Sequence, residues 1–488
     1  MSGSVLNPLT SPEDALKLEF PEWLLPFQAD DVRKLVDRRA ILLANEMGTG
    51  KTYEAIALDL IRRQNQQRVG LTHTSPKTLV VAPLTILETT WERTYNLLAP
   101  ELRTIVVNPK ARGVFLSALK SDEYDVYILH WDVLRIIKEQ LRDIYWFHII
   151  ADEAHRAKNR KAQQTRALKT LKTAWRSALT GTPVMNKPQD LWSILNWLYR
   201  ENWTSYWNFY KRYVDYVVID AGYHIIRGPK NEDALRQSIA PYFVRRTKKE
   251  VLKDLPDKYY TAIEVELLPK QRKAYDQMKK EMIAWLETQD GTKPLAAPVV
   301  IAQLIRLQQF ALAYADVSYD GETGSGRVTL TEPSAKLDAL FQIIDDLGEG
   351  LPDEPLVIYS NFKQAIYLVE QRLKDRGLEY CRITGDDSGE VRRHAVDNFQ
   401  AGVSNIFLGT IGAGSEGITL TRSSTVIFLD RDWTPARNAQ AEDRLHRIGQ
   451  DEAVQVIDIV AKRTVDQYRM KRLEMKKEWI RRMLDDDT

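Results

Sequence analysis

A chain of 488 residues is longer than one hydrophobic core supports, so two domains, or three, are expected. Its 69 lysines and arginines nearly balance 67 aspartates and glutamates, and the net charge of +2 points to no polyanionic partner; any nucleic-acid surface has to be local. The one cysteine, Cys381, excludes an internal disulfide framework and multi-cysteine zinc sites, and suits an intracellular protein.

The chain opens on "MSGSVLNPLTSPED", which lacks the charged start and apolar centre of a secretion signal, so residues 1–20 read as a leader. No apolar run approaches the ~18 residues that span a bilayer, so a soluble protein with no membrane partner is expected. Short apolar runs with polar ends follow: "RAILLAN" near 40, "TLVVAP" near 80, "DVYILHW" near 128 and "WFHIIADE" near 150. Such runs read as parallel strands buried on both faces. The basic stretch "RAKNRKAQQTRALKTLKTAWR", Arg156 to Arg176, reads as an exposed helix face or a local basic patch. From about Asn186 to Leu330 the pattern turns helical, and Trp192, Trp197, Trp203, Tyr206, Trp207 and Tyr210 read as helix packing rather than base stacking. "DVSYDGETGSGRVTLTEPSAK", Asp316 to Lys336, reads as a polar loop. Strands return after 350 in "EPLVIYSN", "SNIFLGT", "STVIFLD" and "AVQVIDIV", with Cys381 on a further core strand. His73, His130, His148, His224 and His394 have no metal-ligand spacing and read as structural, and the terminal "DDDT" as a frayed tail. The fold class is α/β, two lobes joined through a helical region.

Two stretches carry chemistry. "AILLANEMGTGKTYEAIAL" sets a buried strand, a glycine turn and a helix in succession, the context of a phosphate loop. Backbone N–H groups and the helix N-terminus would cradle phosphates, Lys51 would reach the β- and γ-phosphates, and the Thr52 hydroxyl would bind magnesium. "WFHIIADEAH" ends a second strand on Asp152 and Glu153. At a strand's carboxyl end Asp152 would hold hydrated magnesium while Glu153 orients and deprotonates the attacking water. ATP and Mg2+ are the ligands this pairing implies. Far along the chain, "QAEDRLHRIGQ" places Arg444 and Arg447 three residues apart, on one side of a helix if one forms. Their expected target is the γ-phosphate, with a solvated face paired to Glu442 and Asp443 as the alternative.

Taken in order, "LLPFQ", "NEMGTGKT", "VVAPLTIL", "DEAHRAKN", "LTGTPVMNKPQDLWSIL", "VRRTKKEVLKDLPDK", "LPKQRKAY", "VIYSNF", "GAGSEGITLT", "DRDWTP" and "QAEDRLHRIGQ" resemble the Swi/Snf-type ATPases, the DNA-translocating branch of the superfamily-two helicases. The resemblance runs from about Leu24 to Gln450, and two of the strings are similar to its annealing-helicase branch. It implies two RecA-like lobes with helical protrusions: residues 21–250 as lobe 1 with a protrusion from about 186, and 251–488 as linker, second protrusion to about 315, loop and lobe 2 with a C-terminal helix. It assigns Gln28 to the adenine edge, Gly48, Thr49, Gly50, Lys51 and Thr52 to phosphates and magnesium, and Gly417, Gln440, Arg444 and Arg447 to the second lobe's side of the cleft. Thr180 and Thr182 resemble the motif that couples the nucleotide to the track, and Pro83, Ser360, Thr410 and Trp433 lie in strand-contacting stretches. Four departures stand out: Asn45 for aspartate, Thr49 for leucine, Thr434 for asparagine, and His130 with Trp131 in place of a hydroxyl-rich stretch.

The implied activity is a DNA-stimulated ATPase that tracks along double-stranded or forked DNA as a monomeric motor, cytoplasmic if the source is a bacterium or virus. Little length lies outside the motor, so no recognition module is expected. The alternatives are a strand-separating or annealing helicase, including one acting on RNA, and a nucleotide-dependent clamp that does not turn over.

Overall fold

The computed structural model describes residues 20–68, 76–107, 112–121, 123–219, 223–288, 297–319, 326–348, 354–414 and 417–485. The leader, His73 and the last three residues of "DDDT" lie outside them. Two compact units form: residues 1–218, 224–253 and 479–488 in the first, 219–223 and 254–478 in the second.

Unit 1 contains β1 (Ala40–Leu43), β2 (Thr78–Ala82), β3 (Thr104–Val106), β4 (Val126–His130), β5 (Tyr145–Asp152), β6 (Lys172–Leu179), β7 (Val214–Ile219), β8 (Tyr223–Pro229) and β9 (Phe243–Val244). Seven of them make a parallel sheet in the order β3-β4-β2-β5-β6-β1-β9, and β7 with β8 makes a separate ribbon. Alternation puts Leu42, Leu79, Val81 and Leu129 into the core on one face and Ile41, Leu43, Val80 and Ile128 into the core on the other. Each such buried side chain contributes roughly 1.5–3 kcal/mol, which is why these runs are apolar throughout. His148 is inaccessible, held between Asp59 Oδ1 at 2.9 Å and Ser177 Oγ at 2.8 Å, and burial lowers its pKa to about 4, so it is a neutral core residue.

Unit 2 adds β10 (Lys258–Val265), β11 (Tyr314–Tyr319), β12 (Gly326–Thr331), β13 (Leu356–Ser360), β14 (Cys381–Ile383), β15 (Ile406–Thr410), β16 (Thr425–Phe428) and β17 (Val454–Ala461). Its parallel sheet runs β10-β17-β16-β13-β15-β14. Leu356, Ile358 and Leu408 face one core; Val357, Tyr359 and Phe407 face the other. No helix among the described residues is long and apolar enough to cross a membrane.

Four expectations need correction. The basic stretch 156–176 is no single helix face: Gln163–Thr170 is helical, and Lys172–Leu179 is β6, a central strand whose Arg176 is half-buried and Ser177 buried. The expected loop from Asp316 folds as the antiparallel hairpin β11–β12. The helical stretch after 186 carries the ribbon β7–β8. The C-terminal helix, Val465–Leu484, ends within unit 1 and not with lobe 2, because Met483 and Leu484 are buried in that core while Arg482 pairs with Glu232 and Arg245 with Asp485.

Candidate nucleotide site

Parallel register builds the site of unit 1. Leu43 at the end of β1 and Asp152 at the end of β5 both pair with Leu179 at the end of β6, so three neighbouring strands stop at one level. The loops that follow them, carrying Lys51, Thr180 and Glu153, therefore leave the same edge of the sheet, where an α/β fold presents ligands.

After β1 the chain turns through Gly48 (φ +81°) and Gly50 (φ +87°) into the helix Lys51–Arg68. A Cβ on Gly50 would stand 2.5 Å from Gln28 Nε2, so glycine is needed there twice over, for backbone and for space. Lys51 Nζ donates to the Asn45 and Glu46 carbonyls at 2.8 and 2.9 Å, an ammonium held at the mouth of its own loop. Gln28 Nε2 donates to the Thr49 carbonyl at 2.9 Å, while its Oε1 accepts from Leu25 N, so the residue expected at the adenine edge here fastens the loop to the preceding helix. Thr49 is buried with its hydroxyl on the Glu46 carbonyl at 2.9 Å, and Thr52 follows in the first helical turn.

Asn45 explains its departure from aspartate. Its Nδ2 donates to Asp31 Oδ2 at 2.9 Å and to Glu54 Oε1 at 3.0 Å, bridging two buried carboxyl groups. Burial, and then Asp31, hold Glu54 well above the usual carboxylate range behind the loop. Arg246 bonds Asp31 from the opposite side at 3.0 Å, and the Lys248 and Glu46 backbones close the clasp through Glu46 Oε2 and the Arg246 carbonyl.

Asp152 lies buried with one carboxylate oxygen on Trp91 Nε1 at 2.9 Å and the other on the Glu153 amide at 2.8 Å. Burial, and then the charge of Glu153, raise its pKa to about 6. Trp131, expected in a strand-contacting stretch, is instead inaccessible and donates its indole to the Asp152 carbonyl at 3.0 Å. Glu153 itself sits at φ +48°, a left-handed backbone that a side chain adopts only where the surroundings enforce it. From it a polar chain runs along the edge: Glu153 to His155 Nδ1 at 3.1 Å, His155 to Thr180 Oγ1 at 3.2 Å, and Thr182 N to the same hydroxyl at 3.1 Å. Gly181 lets that turn press on the phosphate loop, since a Cβ would meet Met47 Cγ at 2.7 Å.

The donor set fits a magnesium nucleotide. Thr52 and Asp152 offer two oxygens, the number a magnesium ion takes from protein when phosphates and water supply the rest. The raised pKa of this buried carboxylate beside a second one shows that Lys51 does not offset burial and the Glu153 charge, and a cation would supply the further positive charge.

Unit 2 holds its own set of the expected residues. The helix Pro435–Glu442 ends before the arginines, which stand on the following turn and not on a helix face. Arg444 Nε donates to the Gln440 carbonyl and its Nη1 to the Ile418 carbonyl, both at 3.2 Å, and Arg447 Nη1 donates to Thr419 Oγ1 at 2.9 Å. Both guanidiniums thus meet at the segment beginning with Gly417 (φ +69°). Burial, and then Arg444, lower the pKa of Arg447. Glu442 bonds Arg431, Lys258 and Tyr260, and Asp443 bonds Lys258 while its charge also acts on Arg447. His446 is fixed by the Pro256 carbonyl at 2.7 Å.

Residues 22–311 match the SNF2-related domain, and residues 335–449 the helicase conserved C-terminal domain. The chain belongs to the SNF2-related family. Its relatives include the SWI/SNF chromatin-remodeling complex subunit snf22 of Schizosaccharomyces pombe, 28% identical over 93% of this chain and 27% of that one. A probable chromatin-remodeling complex ATPase chain of Oryza sativa is 28% identical over 87% of this chain and 37% of its own. The chromodomain-helicase-DNA-binding protein 1-like of Danio rerio is 29% identical over 91% and 42%. This chain therefore spans about a quarter to two fifths of these relatives. The Sulfolobus solfataricus SWI2/SNF2 ATPase core in complex with dsDNA is 25% identical, covering 95% of this chain and 97% of that one at a TM-score of 0.42.

In this SNF2-related chain the four residues from strand-contacting stretches have different surroundings. Pro83 is buried just past the end of β2, with Leu84 exposed beside it. Ser360 is inaccessible with its hydroxyl on Asp430, and Thr410 is buried at the end of β15. Trp433 donates its indole to Gln308 Oε1 at 3.0 Å, and Gln308 also bonds Asp430 at 2.7 Å. Three positioning residues were not singled out from the sequence: Trp91 on Asp152 and Arg246 on Asp31 in unit 1, and Gln308 on Asp430 in unit 2, of which only Arg246 lies in a quoted string, "VRRTKKEVLKDLPDK".

Proposed function

We propose that this chain is a DNA-dependent ATPase that tracks along duplex DNA. The observation that carries the reading is the common end of β1, β6 and β5, which brings Lys51, Thr180 and the Asp152–Glu153 pair to one edge. Lys51 would exchange its two loop carbonyls for phosphate oxygens. Thr52 and Asp152 would hold magnesium, which neutralises phosphate charge. Glu153, left-handed and 3.1 Å from the His155 ring nitrogen that meets Thr180, would take the proton of the attacking water and report the change along that chain. Arg444 and Arg447 would leave Ile418 and Thr419 for the γ-phosphate when the units close on ATP. The relatives named as ATPase chain and as helicase-DNA-binding protein support the substrate and the track. Duplex contact would be made mainly to phosphates, hence weakly sequence-selective and strongly salt-dependent. Pro83, Ser360 and Thr410 are all buried, so each would position backbone for the duplex within its own unit rather than touch it with a side chain.

The test is steady-state ATP hydrolysis without nucleic acid and with single-stranded, duplex and forked DNA and RNA. Duplex or fork should stimulate turnover, and Glu153→Gln should lower it about 10²–10⁴-fold while ATP still binds. Stimulation by RNA alone would sink the choice of track, and binding without turnover would favour a clamp.

A further inference from the structure

The ribbon β7–β8 in unit 1 leaves rings uncovered that the nucleotide site does not use. Two strands alone are marginal in water, so the ribbon has to lean on something. It leans on the helix Tyr206–Tyr213: Tyr216 of β7 and His224 of β8 stack at 4.4 Å and 14°, and Tyr210 lies 5.5 Å from His224. That contact accounts for Tyr210, which is buried. It does not account for Trp207, one helical turn away, which is 54% exposed yet stands in the same array, 5.8 Å from Tyr210 and 6.5 Å from His224. Trp192, Trp197 and Trp203 are core residues as expected; Trp207 is not. Val218 and Ile225 are also more than half exposed, on opposite faces of the ribbon by the period of two.

The surroundings are cationic. Residues 206–230 contain Lys211, Arg212, Arg227 and Lys230 against Asp215 and Asp220. Lys230 Nζ lies 5.8 Å from the Tyr216 ring and the Arg160 guanidinium 4.5 Å from the Tyr206 ring. Exposed rings in series with cations beside them suit one ligand chemistry, flat bases on a polyanionic backbone with no partner strand. In duplex DNA those faces are already stacked and out of reach.

We propose that Trp207, with the His224–Tyr216 stack beside it, is a base-stacking platform for unpaired nucleotides of single-stranded or forked DNA. This rests on the DNA-tracking reading and deepens it, giving the motor a contact that duplex tracking does not require.

The experiment compares wild type, Trp207→Ala and Trp207→Phe in binding to duplex DNA and to a fork with single-stranded arms, with no nucleotide present. A second fork carries 5-iododeoxyuridine in one arm for photocross-linking and peptide mapping. Trp207→Ala should bind the fork about 5- to 100-fold more weakly and the duplex unchanged, Trp207→Phe should recover most of the loss, and the cross-link should map to Trp207. Duplex-stimulated ATP turnover should be unchanged in both variants, so a wild type lacking that turnover counts against duplex tracking and leaves the binding result to be read by itself. Equal fork affinity in wild type and Trp207→Ala, or cross-links only at other segments, would overturn the proposal. An equal loss on duplex and fork would overturn it too, as would recovery by a protein ligand of the patch with no effect on either DNA.

Discussion

Replacing Asn45 by aspartate, the residue expected from the family resemblance, should be strongly destabilising here. Asn45 is fully buried and gives its two amide protons to Asp31 and Glu54 at 2.9 and 3.0 Å. Aspartate keeps the shape and removes both donors. Each lost bond to an acidic acceptor costs about 1.5–3 kcal/mol, and a third carboxyl group enters a site where burial and Asp31 already hold Glu54 well above the usual carboxylate range. A loss of about 3–5 kcal/mol is expected, a large share of the roughly 5–15 kcal/mol available to a domain. Glu54→Gln should offset part of it, because an amide at 54 then donates where the amide at 45 did. Urea unfolding of wild type, Asn45→Asp, Glu54→Gln and the double variant measures the coupling, expected at about 1.5 kcal/mol or more. A cost below about 1 kcal/mol for Asn45→Asp, or single effects that simply add, would refute this account of the departure.

Asp152 makes magnesium-ATP binding pH-dependent. Its pKa is raised to about 6 from 3.8, so its contribution to the ligand-free fold is complete below 3.8 and is lost as pH rises through about 6. The cation needs the ionised form, so the rise in Tm on adding magnesium-ATP should be large at pH 7 and shrink as pH falls below about 6; a shift constant from about pH 5 to 7.5 would contradict this. Trp131→Phe should cost about 1 kcal/mol through the lost bond to the Asp152 carbonyl and leave duplex affinity unchanged, whereas a weakened duplex with unchanged stability would restore the strand-contacting role. Arg431 is buried between Glu442 and Asp458, so Arg431→Ala should cost about 3–5 kcal/mol in urea unfolding; a cost under about 1 kcal/mol would mean that its partners find other donors.

The continuous apolar strands were legible because a parallel strand covered on both faces leaves few polar positions, and "TLVVAP" or "EPLVIYSN" admits little else. β6 was not, because its Lys172, Thr173, Arg176 and Ser177 disguise a central strand as a continuation of a basic helix. The pairing of β11 with β12 escaped because the glycines and polar residues of "DVSYDGETGSGRVTLTEPSAK" read as loop and outweigh the short alternating runs that form the two strands. Lys51, Thr52, Asp152 and Glu153 could be named from the sequence because local strand-turn-helix context fixes them. Trp91 and Arg246 could not, since they meet Asp152 and Asp31 only through folding, 61 and 215 positions apart in the chain. Trp131 was visible as a departure, and its role became clear only when its indole was found on the Asp152 carbonyl.

The most direct measurement of the central claim is displacement of a third strand from duplex DNA with ATP, using the full chain and Lys51→Ala as the control. A motor that tracks on duplex should strip the third strand in an ATP-dependent manner without separating the underlying duplex, and Lys51→Ala should abolish it. Vigorous DNA-stimulated hydrolysis with the third strand left in place would contradict the claim and reduce the chain to a DNA-activated ATPase that does not travel.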